Sequence, residues 1–197
     1  MKKAGIMVIA LSMGVAAWAQ QAAEMEAMMQ LFGGMAQTQQ DATPAATIAP
    51  RALRDALPGD FAGFERVEAG SERQGAFGIT TVVATGVYEQ GDQTIRIEIT
   101  DMSGMGGLGA LAMMGMAQAE VDKETRHGFE RTTTYQGFKG KETYNRTDRQ
   151  GDIEIVAGSR VSVKVNGSGL ESFDVLTQAV AAMDLKALSE LQPEAAE

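Results

Sequence analysis

Two stretches of this 197-residue chain alternate apolar and polar residues with a period of two. From Thr94 to Thr100, three isoleucines share one side of an extended chain, and threonine, arginine and glutamate share the other. From Arg160 to Val165, three valines alternate with polar residues in the same way. Strict alternation is typical of strands that are buried on one face only, as in antiparallel sheets. The alternation therefore predicts an antiparallel sheet with one dry face.

Other segments are rich in the β-branched and aromatic residues that favour strands. Short turns at Gln136-Gly137 and Gly158-Ser159 separate two pairs of these segments, which predicts two hairpins. The predicted strands, in chain order, are 64–69, 79–88, 94–100, 125–135, 138–146, 152–157 and 160–165.

Helical spacing of apolar residues predicts two helices that could cover the dry face. One is the Ala- and Met-rich stretch 107–120, and the other runs from Phe173 to Met183, with a short helical turn following at 185–191. We therefore expect an α+β fold, in which a single antiparallel sheet of about six to seven strands is covered by two helices. A Met-rich helix and a flexible linker are expected to precede it.

The first nineteen residues have the pattern of a secretory signal peptide. Lys2 and Lys3 precede an apolar stretch of twelve residues, Ile6–Ala17, and Ala17-Trp18-Ala19 forms a small-x-small cleavage site. An uncleaved anchor is the weaker alternative, because spanning a bilayer takes about 20 apolar residues. We expect a signal peptide over residues 1–19 and a periplasmic or secreted mature protein with no transmembrane segment after cleavage.

The mature chain is predicted to divide into three parts: residues 20–50, an α+β domain over 51–191 and a tail over 192–197. Residues 20–50 are rich in Met, Gln and Ala, and they predict a helix followed by a flexible linker. Amphipathic stretches on flexible tethers often bind partners. One hypothesis is that this segment docks on an envelope protein, and the alternative is a disordered tail without function.

Composition excludes several classes of site and partner. The chain has no Cys, which excludes disulfides, thiolate metal sites and cysteine nucleophiles. It has one His, which excludes any site that needs two imidazoles. Its formal charge of −9 becomes −11 when Lys2 and Lys3 leave with the signal peptide. An acidic protein repels nucleic-acid phosphates, so nucleic-acid binding is not expected.

Residues Gly104–Gly109 match the GxGxxG pattern of dinucleotide-binding loops, and acidic residues follow near position 120. The preceding strand alternates polar and apolar residues, however, whereas a dinucleotide-binding strand is buried on both faces. We therefore interpret the motif as a connection with closely packed backbone, and we expect no nucleotide cofactor.

Methionine clusters raise the possibility of a copper site, because thioether sulfur suits Cu(I). The weak candidate ligands are Met25, Met28, Met29 and Met35. His127 could add one ligand. The alternative is that methionine fills gaps in a core or on an adaptable surface. That alternative applies equally to the second cluster, which contains Met102, Met105, Met113, Met114 and Met116.

Acid–base catalysis would have to draw on carboxylates in the predicted strands and their connections. These are Glu98, Asp101, Asp122, Glu124, Glu142, Asp152 and Glu154. They form no recognisable catalytic pattern, and the GxSxG, SxxK and HExxH motifs are absent from the sequence. Alternation favours a solvated strand face for Glu98 and Glu154. The sequence therefore predicts no catalytic residue.

Several short sequence motifs within residues 51–191 resemble those of an uncharacterised family of exported bacterial proteins. They are Leu57-Pro58-Gly59, Gly63-Phe64, Ile95-x-Ile97-x-Ile99-Thr100-Asp101-Met102, Gly128-Phe129-Glu130-Arg131-Thr132, Arg160-Val161-x-Val163-x-Val165 and Met183-Asp184-Leu185-x-x-Leu188. Members of that family often carry a Met- and Gln-rich segment before the domain, and the resemblance implies no activity or catalytic residue. The strand and helix order is also similar in architecture to PsbP/Mog1-type sheets.

Together these features favour an exported protein that is a non-enzymatic, envelope-associated binding or accessory domain. A Met-based periplasmic Cu(I)-binding protein is the first alternative, and a small periplasmic enzyme is the second.

Overall fold

The computed structural model describes residues 46–76, 79–105, 114–115 and 120–194. Eight strands of this part of the chain form one sheet, in which every neighbouring pair is antiparallel. The strands are β1 (Glu65–Ala76), β2 (Ile79–Gln90), β3 (Gln93–Asp101), β4 (Asp122–Thr125), β5 (Gly128–Tyr135), β6 (Phe138–Asn145), β7 (Gln150–Ala157) and β8 (Val161–Ser168). The predicted antiparallel sheet is thus confirmed.

The strand order across the sheet is β1-β2-β3-β8-β7-β6-β5-β4. Two runs of hairpin-connected strands, β1 to β3 and β4 to β8, meet where β3 pairs with β8. The pairing sets Ile97 beside Val165 and Ile99 beside Val163. The two most strictly alternating stretches of the sequence therefore lie side by side at the centre of the sheet, where both can bury one face.

Three short helices are described: α1 (Pro50–Asp55), α2 (Asp174–Ala181) and α3 (Leu185–Glu190). A single 3-10 turn, Ser103–Met105, follows β3. Helix α1 packs on β1, β2 and β3, while α2 packs on β7 and β8 and α3 packs on β7. We call the face that carries these helices the inner face, and the opposite one the outer face. Strands β4 and β5 lie beyond the strands on which these helices mainly pack.

The core lies on the inner face, between the sheet and the helices. Its residues are apolar and almost fully buried, and they include Ile95, Ile97, Ile99, Ile153, Ile155, Val161, Val163, Val165, Leu53, Leu176, Val180 and Leu185. Burial of the apolar side chains is the main stabilising contribution to such a fold. Tyr88 is also fully buried, and its hydroxyl donates to the carbonyl of Pro58 at 2.8 Å, which satisfies the polar end of the side chain.

The outer face is polar and carries charges of alternating sign from strand to strand. Cross-strand pairing sets Glu98 beside Lys164, Lys164 beside Glu154, and Glu154 beside Lys141. Lys164 lies 3.2 Å from Glu154, and Lys141 lies 2.7 Å from Glu130 on β5. The hydrogen bond to Lys141 lowers the pKa of the Glu130 carboxyl. The predicted solvated face for Glu98 and Glu154 agrees with this arrangement.

The predicted α+β class was wrong, because the described part of the chain is mostly β. It has eight strands and three helices of six to eight residues, not six to seven strands covered by two helices. The strand that was not predicted is β4, at one edge of the sheet, and β1, at the other edge, extends beyond the predicted strand 64–69. Strands β1 and β4 are exposed along most of both sides, so neither shows the alternation by which a half-buried strand is recognised. Both carry charged residues, which is typical of protected edges.

Other predictions fall largely outside the described residues. The signal peptide and the Met-rich helix lie wholly outside them, and helix 107–120 is described only at Met114, Gly115 and Glu120, the first two being helical. At the end of the predicted linker, Ile48 is fully buried. Among the described residues, no helix is both long and apolar enough to cross a lipid bilayer.

Candidate functional site

The hairpin of β5 and β6 places a row of polar and aromatic side chains on the inner face, next to α2. Its turn is Gln136-Gly137, and both residues have positive φ angles, 50° and 91°. Such two-residue turns match the twist of a hairpin and fix its register. The register sets Phe129 beside Tyr144 and Arg131 beside Glu142.

Glu142 is the centre of a polar cluster on this hairpin. Its side chain is only 5% exposed, and both of its carboxylate oxygens accept hydrogen bonds. Arg131 donates from Nε to Oε2 at 2.5 Å, and the Tyr135 hydroxyl donates to Oε1 at 2.5 Å. The Arg131 guanidinium carbon also lies 4.4 Å from the centre of the Phe129 ring. A buried carboxylate and a ring face therefore hold this guanidinium in one orientation.

Burial raises the pKa of Tyr135 strongly, and the hydrogen bond to Glu142 raises it further. A hydrogen bond with the Thr177 hydroxyl of α2 acts in the opposite direction but is outweighed. The proton of Tyr135 is thus held by Glu142, and the hydroxyl oxygen of Tyr135 links the polar cluster to α2.

The raised pKa gives a test by alkaline titration. Below the ordinary tyrosine pKa of about 10, the native protein keeps the full contribution of protonated Tyr135. Above it, the unfolded chain releases a proton that the native state retains, so the free energy of unfolding falls as the pH rises. We expect Tyr135→Phe to make this decline shallower, as measured by urea unfolding between pH 8 and 11. Identical pH profiles for the two proteins would contradict the assignment.

Three aromatic rings lie together beside the polar cluster. The Phe173 ring, just before α2, meets Phe129 edge-on at a centroid distance of 5.0 Å and lies 5.6 Å from Tyr144. The Phe129 and Tyr144 rings are 5.8 Å apart. These rings line an open groove of about 630 Å³. We call it the aromatic groove; its other lining residues are Arg146, Arg149, Leu170, Glu171 and Ser172.

Two arginines fix the loops around the aromatic groove. Arg149 donates from Nε to the carbonyl of Leu170 at 3.1 Å and from Nη2 to that of Gly169 at 2.5 Å. Arg146 donates to the carbonyl of Thr125 at 3.2 Å and to Glu124 at 3.3 Å. Hydrogen bonds from these two arginines therefore hold together the turns that form the groove.

The structure does not bring the seven candidate carboxylates together. Glu98 and Glu154 lie on the outer face, while Asp122 and Glu124 lie on edge strand β4. Asp152 accepts a hydrogen bond from Asn166. The two buried ones are separate: Glu142 belongs to the polar cluster, and Asp101 holds the backbone at Ile48 and Ser103.

The proposed copper ligands Met25, Met28, Met29 and Met35 lie outside the described residues. His127 lies in the β4–β5 turn, where its ring accepts a hydrogen bond from Arg126 and contacts the Thr147 hydroxyl. Within the part of the chain that is described, no group of three or more His, Asp or Glu side chains could hold a metal ion.

Of the GxGxxG motif, the structure describes Gly104 and Met105. A Cβ atom on Gly104 would lie 1.9 Å from the carbonyl oxygen of Thr80. This is the close backbone packing that was the alternative to a nucleotide site.

Sequence reasoning did not identify Arg131, Tyr135 and the three aromatic rings as one site. The signal that could have found part of it is the Gln136-Gly137 turn, which was predicted correctly. In a two-residue hairpin the residues at equal distances from the turn pair with one another. That rule alone sets Arg131 opposite Glu142 and Phe129 opposite Tyr144. The approach of Phe173 and Thr177 is a tertiary contact without such a signal.

Comparison of the chain with protein-family models, with curated proteins and with solved structures gives no match. The resemblance to exported bacterial proteins stays a prediction.

Proposed function

We propose that this protein is an exported, non-enzymatic binding domain whose ligand occupies the aromatic groove. The observation that carries the proposal is that the rings of Phe129, Tyr144 and Phe173 lie together in an open groove, whose loops are held by hydrogen bonds. Aromatic rings supply large contact areas, and open concave sites lined by them are the usual places for ligands. The N-terminal sequence supports export of such a domain.

The polar cluster supports binding rather than catalysis. Both oxygens of Glu142 are engaged, and the Tyr135 proton is held by one of them, so neither group is poised to exchange a proton with a substrate. Throughout the described residues, every buried side-chain nitrogen and oxygen has a hydrogen-bond partner. A cluster of this kind positions its members and stiffens the site.

A neutral aromatic probe tests the groove. We expect N-phenyl-1-naphthylamine to bind the full chain saturably, with a rise in its fluorescence. The variant Phe129→Leu should bind it about threefold to tenfold more weakly, because aromatic contacts contribute roughly 0.5–1.5 kcal/mol. Phe61→Leu is the matched control, since Phe61 belongs to a separate aromatic group with Phe64 and Tyr88. Non-saturable binding, or equal losses in the two variants, would disprove the assignment of the groove.

A further inference from the structure

Arg131 is held in the way that is expected of an arginine that binds an anion. Its Nε pairs with a carboxylate whose side chain is 5% exposed, yet the Arg131 side chain itself is 50% exposed. The two terminal nitrogens of its guanidinium make no hydrogen bond or ion pair with any described residue. An arginine normally uses these two nitrogens to bind a carboxylate or phosphate through two parallel hydrogen bonds.

The surroundings leave this edge of the guanidinium available. Asp122 stands opposite Arg131 in the register of β4 and β5, but no ion pair joins the two side chains. The charge of Arg131 is directed instead to Glu142 and to the Phe129 ring. The Phe129 ring contacts Arg131 and also lines the aromatic groove, although Arg131 itself is not a lining residue, so a ligand must extend past this ring to reach both.

We infer that Arg131 binds the anionic group of the ligand, and that the ligand is an organic anion with an aromatic or apolar body. Glu142 acts as a positioning residue, because it fixes the guanidinium without reaching the ligand. The body lies on the rings of Phe129, Tyr144 and Phe173, and its carboxylate or phosphate lies on the terminal nitrogens of Arg131. The inference rests on the proposed function and adds the chemical class of the ligand.

A pair of fluorescent probes tests this inference separately from the groove itself. 8-Anilinonaphthalene-1-sulfonate has the rings of N-phenyl-1-naphthylamine with one added sulfonate group. We expect the full chain to bind the sulfonate about tenfold more tightly than the neutral probe at low salt, since a charge-assisted pair of hydrogen bonds is worth about that factor. Raising the salt concentration should reduce this preference, because ions screen a half-exposed charge.

Variants assign the preference to Arg131. Arg131→Gln should remove the preference for the sulfonate over the neutral probe, while Arg73→Gln, at an exposed position of β1, controls for loss of one charge. Because Arg131→Gln leaves the buried carboxylate unpaired, the double variant Arg131→Gln/Glu142→Gln is measured beside it, with thermal melting to check folding. Arg131→Lys keeps the charge but lacks the fork, and it should keep only part of the preference.

The outcomes separate the two claims. If neither probe binds saturably, the aromatic groove is not a binding site and the proposed function fails. If the neutral probe binds but the sulfonate has no advantage, or a folded double variant keeps the advantage, the groove stands and the role of Arg131 is disproved. If the advantage is lost only with Arg131, competition by 1-naphthoate and by 1-naphthyl phosphate shows which head group the site prefers.

Discussion

Replacement of Asp101 with alanine is expected to lower the free energy of unfolding by about 3 kcal/mol. The carboxylate is fully buried at the end of β3 and accepts three hydrogen bonds. Oδ2 accepts from the backbone N–H of Ile48 at 2.6 Å, and Oδ1 accepts from the N–H and the hydroxyl of Ser103 at 2.9 and 2.5 Å. Alanine would leave a buried N–H group at Ile48 without a partner, which is costly in a protein interior.

The effect should reach beyond these bonds, because Asp101 holds the segment that leads into α1. Ile48 is fully buried, and the carbonyl of the preceding Thr47 accepts from the N–H of Glu194 at 2.9 Å. The segment held by Asp101 therefore also holds the chain at Glu194. Urea unfolding followed by circular dichroism measures the loss. Asp122→Ala, at an exposed position of β4, is the control and should change the free energy of unfolding by less than about 0.5 kcal/mol. Equal effects would contradict the anchoring role.

The centre of the sheet could be predicted from the sequence, because its strands have one buried face. The alternation in Thr94–Thr100 reports burial of every second residue, and this burial is a property of the strand itself. Strand β1 is exposed on both sides along most of its length, so its residues are not forced to alternate. Strand β4 and the second half of β1 were therefore missed for the same physical reason that the centre was found.

The candidate site was only partly predictable, because it joins a local feature to a distant one. The Gln136-Gly137 turn is local, and it determines the pairing of Arg131 with Glu142. The Gln136 side chain joins this turn to the connection between α2 and α3, because it donates to the carbonyl of Met183 at 2.8 Å and accepts from the N–H of Leu185 at 3.1 Å. These two hydrogen bonds join residues that are more than forty positions apart in the sequence. Such long-range contacts produce no periodic pattern that a single sequence could show.

The site lies beside the strands on which the helices mainly pack. Helix α1 packs on β1–β3, and α2 and α3 pack on β7 and β8, while Phe173 and Thr177 bring the α2 region against β5. Aromatic and charged residues on the inner face of β5 and β6 therefore meet solvent at the margin of the core. At such a margin an arginine can pair with a buried carboxylate while its outer edge stays in water.

Replacement of Ile97 with alanine is expected to lower the free energy of unfolding by about 3–5 kcal/mol, the largest effect we predict for one side chain. Ile97 is fully buried in β3, the third strand of eight, between Gly86 of β2 and Val165 of β8. Alanine removes apolar contacts and leaves a cavity that a paired central strand cannot close by moving, because both of its neighbours are hydrogen-bonded to it.

Arg96→Ala is the matched control, because Arg96 is the preceding residue of the same strand and its exposed side chain points to the outer face. Its loss should change the free energy of unfolding by less than about 1 kcal/mol, as judged by urea unfolding under the same conditions. A large difference between adjacent residues is the energetic counterpart of period-two alternation, since one face of β3 supplies core contacts and the other supplies solvation. Comparable losses at the two positions would mean that both faces of β3 are packed, and the division of the sheet into a dry inner face and a solvated outer face would then be wrong.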